Sequence, residues 1–119
     1  MPRVLEVLRG WLADDVTGVA LGTIPANSYV TNVRIEVTEA FNASGTDNVT
    51  VGYDADTDAY ATSTDVSSTG IKTPTLGADV GFSATERSAE AYYVASAGTA
   101  TTGRCLVIVE FYRVPAEVT

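Results

Sequence analysis

Apolar and polar residues alternate along much of this chain. In Thr31-Asn32-Val33-Arg34-Ile35-Glu36-Val37-Thr38, Val33, Ile35 and Val37 fall on one face and Asn32, Arg34 and Glu36 on the other. A period of two is the signature of a half-buried strand, and the β-branched residues filling the run suit a pleated sheet better than a helix. Asn48-Val49-Thr50-Val51-Gly52-Tyr53 repeats the pattern, with Val49, Val51 and Tyr53 together. Ala43-Ser44-Gly45-Thr46-Asp47 between them reads as a turn, so the two runs predict an antiparallel hairpin.

The strongest run is Arg104-Cys105-Leu106-Val107-Ile108-Val109-Glu110-Phe111-Tyr112-Arg113. Cys105, Val107, Val109 and Phe111 share one face; Leu106, Ile108 and Tyr112 share the other with Glu110. Two largely apolar faces predict a central strand, and Pro115 ends it because proline cannot donate to a ladder. Residues 91–96 are its expected partner, with 98–103 as their hairpin loop. Residues 16–22 read as a further strand and 24–28 as a turn. The Asp-, Ser- and Thr-rich segment 54–70 reads as a long loop with a short helical turn near residues 59–61. Ile71 and residues 80–82 seed short strands. At the N-terminus, Val4, Leu5, Leu8, Trp11 and Leu12 fit a helical stripe, while residues 3–7 pass for a strand. Residues 1–15 are expected to be an extended arm or first strand, and residues 16–119 a single β-sandwich domain. Seven or eight short antiparallel strands with turn signals between them predict an all-β, small jelly-roll-like β-sandwich.

Composition narrows the function. The chain has 119 residues, 45% of them apolar, enough for one core and too apolar for disorder. Fifteen acids against seven bases give a formal charge of -8, which repels phosphate backbones and argues against nucleic acid as a partner. There is no histidine, so Ser-His-Asp, Cys-His and His-ligated zinc chemistry are out. One cysteine, Cys105, forms no intrachain disulfide. Its strand context predicts a small buried hydrophobe rather than a reactive thiol. No run approaches the about 20 apolar residues of a membrane helix, and Glu6 and Arg9 interrupt any secretory apolar stretch. The expected compartment of synthesis is a reducing cytoplasm, without membrane partners. The sequons at Asn42 and Asn48 then read as chance occurrences in a turn.

Candidate chemistry is sparse. Asp54, Asp56 and Asp58 alternate as at the start of an EF-hand loop, and Asp65 falls at its twelfth position. Ala59 stands where the sharp turn needs glycine, however, so the segment reads as a solvated acidic turn, and no metal or cofactor is expected. Fifteen acids make coincidental carboxylate pairs certain. Glu86 or Glu90 are the nearest guesses for a hydrolase, but no nucleophile, base and orienter come together, and no enzyme is expected. Tyr60, in the predicted acidic loop, is the best exposed aromatic for stacking on a sugar. More informative is the apolar second face of residues 104–113. A small domain cannot bury both faces of many strands by itself, so this face points to assembly with copies or with a larger structure.

The stretch Leu21-Gly22-Thr23-Ile24-Pro25-Ala26-Asn27-Ser28-Tyr29-Val30-Thr31-Asn32-Val33-Arg34-Ile35-Glu36-Val37-Thr38-Glu39-Ala40-Phe41-Asn42 resembles small virion proteins of tailed bacteriophages and prophages. Val49-Thr50-Val51-Gly52 and the closing Gly98-Thr99-Ala100-Thr101-Thr102-Gly103-Arg104 continue the resemblance over residues 17–113. Such proteins are similar to capsid decoration (cement) proteins, head-fibre proteins and some tail components. The resemblance implies a jelly-roll-like sandwich, made in the host bacterial cytoplasm and carried on the capsid exterior, often as a homotrimer on the major capsid protein. The alternative it leaves is a tail-tip or fibre module that binds a host-surface glycan. It maps no functional residues. From the residues themselves, the expected docking element is the N-terminal segment, with Arg3, Val4, Leu5, Leu8 and Trp11 as partner-binding residues.

Overall fold

A computed structural model describes residues 5–114. It contains nine strands: β1 Leu5–Ala13, β2 Gly18–Ile24, β3 Ser28–Glu39, β4 Asp47–Tyr53, β5 Asp56–Asp65, β6 Gly70–Lys72, β7 Gly81–Ser83, β8 Arg87–Ala95 and β9 Arg104–Arg113. They form two antiparallel sheets. The first runs β1-β9-β3-β6, with β7 also paired to β3, and the second runs β2-β8-β4-β5. Among the described residues no helix is long and apolar enough to cross a membrane.

The topology is that of one long hairpin rolled into a barrel-like sandwich. β4 pairs with β5, β3 with β6 and β7, β2 with β8, and β1 with β9. Rolling then brings β9 against β3 and β8 against β4. This is the eight-stranded jelly-roll order, with β6 and β7 sharing the edge of β3. It corrects two local expectations. Residues 31–38 and 48–53 form no hairpin, and neither do 91–96 and 104–113, because each pair is divided between the two sheets. A jelly roll carries the chain across the sandwich at these connections, and turn residues do not distinguish a crossing from a hairpin.

The core lies between the sheets. Val33, Ile35 and Val37 of β3 and Cys105, Val107, Val109 and Phe111 of β9 face Val49 and Val51 of β4 and Ala89, Ala91 and Tyr93 of β8. The inward sets are the ones their alternation predicts. At the β1–β2 corner the sheets nearly touch, and a Cβ on Gly10 would stand 2.9 Å from Leu21 Cδ2. At one end, Phe41 packs on Tyr93 with ring centroids 4.6 Å apart and the planes tilted by 39°. Gly103 is required beside it, because its φ is +147° and a Cβ would meet the Phe41 ring at 2.4 Å. The buried Asp47 joins the same end, accepting from the Tyr93 hydroxyl (2.5 Å) and the Ala43 amide (3.2 Å). Burial, and then the bond to Asp47, push the Tyr93 phenol far above its ordinary range.

Residues 54–70 are not a long loop with a helical turn. Most of the segment is β5, and Ala59, Tyr60 and Ala61 are buried in it. Its polar composition hid a strand whose buried positions use small side chains and one tyrosine.

Candidate functional site

With the core sealed between the sheets, function falls to the outer surfaces. Opposed residues in antiparallel strands share a face, so the registers define the outer face of the first sheet row by row. One end row is Leu5, Tyr112, Tyr29 and Phe82, on β1, β9, β3 and β7. Tyr29 and Tyr112 stack with centroids 5.4 Å apart and ring planes within 7°. The last row to span four strands is Trp11, Leu106, Glu36 and Ile71, on β1, β9, β3 and β6, with Ala13 and Arg104 one step beyond it. Between them lie Val7, Glu110 and Asn32, then Arg9, Ile108 and Arg34.

These end rows are exposed. Trp11 is 47% exposed, Phe82 53% and Ile71 66%. Of the large hydrophobic side chains open to solvent among the described residues, Leu5, Val7, Trp11, Tyr29, Ile71 and Phe82 all belong to this face. Two contacts fix two of its arginines: Arg34 is held to Glu110 at 3.0 Å, and the Arg104 guanidinium lies 4.5 Å from the Trp11 ring centre.

The expected docking residues are therefore divided. Leu5 and Trp11 are exposed on the outer face of β1, whereas Leu8 turns inward and lies 3.0 Å from where a Cβ on Gly22 would stand. Arg3 and Val4 lie outside the described residues. β1 is bonded to β9 along its whole length. Val7 and Arg9 belong to the N-terminal segment expected to dock; Tyr29, Ile71 and Phe82 were not singled out for docking from sequence, and their signal was the doubly apolar β9 together with its register partners.

A cleft of about 530 Å³ opens at one end of the sandwich, beside Tyr53, Asp79, Phe82, Glu86 and Arg87. Arg87 organises it by donating to the carbonyls of Asp79 (2.8 Å), Ser28 (3.0 Å) and Gly81 (3.3 Å). The Tyr53 hydroxyl donates to Asp79 at 2.6 Å, and that bond raises the phenol's pKa. The guanidinium is thus committed to tying β3, β7 and the Asp79 turn together. Glu86 borders the cleft, while Glu90 takes the Tyr92 hydroxyl on the outer face of the second sheet.

Tyr60 is fully buried and donates to the Ser88 carbonyl at 2.9 Å; burial pushes its phenol up to about 12. This corrects its expected exposure and removes it as a sugar platform. Among the described residues no three Cys, Asp or Glu side chains converge as a metal cluster. Asp56 instead shares a hydrogen bond with Asp58, which raises its pKa, and Asp65 is held below its ordinary value by hydrogen bonds from Ser67. Cys105 is buried and burial pushes its thiol up to about 12.

The same fold occurs in phage capsids. The chain superimposes on a chain of the cyanophage Pam1 capsid asymmetric unit with a TM-score of 0.72 and 19% identity, over 94% of this chain and 86% of that one. For the acidic stable capsid structure of Helicobacter pylori bacteriophage KHP30 the TM-score is 0.71 at 17% identity, over 97% and 91%. For the capsid of Ralstonia phage GP4 it is 0.65 at 15% identity, over 98% and 86%. No protein-family model matches the chain, and no curated protein matches it.

Proposed function

We propose that this protein is a non-enzymatic, structural component of a phage virion that decorates the capsid exterior and cements the shell. The observation that carries the reading is the near full-length likeness to chains resolved in three phage capsid structures. Two features of this chain support it. Its core is sealed, and the cleft beside Tyr53 and Asp79 is built around an arginine already engaged by three carbonyls. Its exposed apolar residues are concentrated on one sheet face, as in a protein that works by adhering to another.

The partners are the major capsid protein and copies of this chain, as a homotrimer. A charge of -8 keeps free copies soluble and away from packaged nucleic acid. Cementing then needs no chemistry, because a protein that binds the assembled shell and not its dissociated subunits stabilises the shell by mass action. The test is light scattering after size exclusion, followed by co-sedimentation with heads lacking the protein. A trimer that pellets with the heads and raises their melting temperature supports the reading; a folded protein that ignores them overturns it.

A further inference from the structure

We propose that the outer face of the first sheet is the docking surface, and that it meets an apolar, carboxylate-bearing surface of the coat-protein shell. This rests on the cement reading above. The two apolar end rows span four strands, about 15 Å at the usual strand spacing. They lie six residues apart on β9, about 20 Å. The rows frame a footprint of about 300 Å² in which two largely apolar strips flank a polar middle.

Charge selects the occupant. Between the apolar rows stands Arg9, exposed and without an ion pair among the described residues, whereas Arg34 already has Glu110. Covering Arg9 with an apolar surface alone would strand its charge, so a carboxylate is the partner group that best answers it. A second copy, face to face, supplies the wrong chemistry. In a two-fold contact the Arg9, Ile108 and Arg34 row meets either itself or the Val7, Glu110 and Asn32 row, whose one carboxylate is already held by Arg34. The footprint is also well below the about 800 Å² per partner of a stable binary complex, so tight attachment comes from several linked copies binding together.

The test uses heads lacking the protein, with binding measured by co-sedimentation over a range of salt. Trp11→Ala combined with Phe82→Ser removes one anchor from each apolar row. Arg9→Glu reverses the central charge, and Val94→Ser changes an exposed apolar residue on the other sheet. The proposal expects the first two to weaken binding about tenfold or more, Arg9→Glu also to flatten the salt dependence, and Val94→Ser to bind as the wild type. Far-ultraviolet circular dichroism and melting verify folding, and Arg9→Glu, at an exposed position, carries the test if the double variant misfolds. Wild-type binding that survives both first-sheet changes, or is lost with Val94→Ser, overturns the proposed face while leaving the cement reading intact. First-sheet variants that dissociate the free oligomer but, as monomers, still bind heads make the occupant a second copy and overturn the shell as partner. A wild type that never binds heads overturns the cement reading itself.

Discussion

The strands of the first sheet carry five cations, Arg9, Arg34, Lys72, Arg104 and Arg113, against four acids, Glu6, Glu36, Glu39 and Glu110. Those of the second sheet carry Arg87 alone against Asp47, Asp56, Asp58, Asp65 and Glu90. The outer surfaces differ in the same sense. In register on the second sheet are Gly18, Tyr92 and Thr50, then Ala20, Glu90 and Gly52, then Val94, Asn48 and Asp65. Apart from Tyr92 and the exposed Val94, that is the small, polar exterior an antiparallel sheet needs when one side faces water. The first sheet breaks the rule with two apolar rows and a cationic centre. Both sheets spend their inner faces on one core, so the asymmetry is free of any packing duty, and it is where adhesion is to be sought.

Four substitutions and one labelling experiment probe this contrast between a common interior and unlike exteriors. The largest effect is expected inside: Ile35→Ala, at a fully buried site facing both sheets, should cost about 2–5 kcal/mol. Urea unfolding should remain a single transition by fluorescence and circular dichroism, since the sheets share one core; two transitions would separate them. Asp47→Ala removes the acceptor of the buried Tyr93 hydroxyl and should cost about 1–3 kcal/mol by the same measurement. Third, Cys105 should resist alkylation at mildly alkaline pH until the protein unfolds, because its thiol is buried and its pKa lies near 12. Mass spectrometry showing rapid labelling of folded protein would place the thiol outside the core.

The smallest effects belong to the second sheet's acids, and their signs oppose one another. The folded state raises the pKa of Asp56, so its contribution is favourable when protonated and is lost as pH rises through the folded value. Asp58→Asn should therefore lower the Asp56 pKa, read by carboxyl NMR titration, and slightly raise the melting temperature at neutral pH. Asp65 is lowered by Ser67, so its contribution is present above the unfolded value of about 3.9 and is lost as pH falls through the folded one. Ser67→Ala should bring the Asp65 titration back up.

How much of this was legible in the sequence varied with side-chain size. β3 and β9 stand out because large β-branched residues recur at period two, and their inward faces follow directly. β5 did not, because Ala59 and Ala61 are too small to mark a strand and Tyr60 sits among aspartates and threonines. Pairing was legible only in part. Short-range turn chemistry suggests neighbours in sequence, whereas rolling pairs β9 with β1 and β3 from opposite ends of the chain. For the adhesive face, the apolar outer side of β9 and the residues Leu5 and Trp11 were visible beforehand. That Tyr29, Phe82 and Ile71 complete its rows needed the register, since they come from three separate strands.

The most direct measurement is a cryo-electron microscopy reconstruction of heads reconstituted with the purified protein. The account predicts density for the sandwich outside the shell, with β1, β9 and β3 turned toward the coat protein, a shell carboxylate opposite Arg9 and the β2-β8-β4-β5 sheet toward solvent. A sandwich bound by its acidic sheet, or heads that carry no added density, would contradict it.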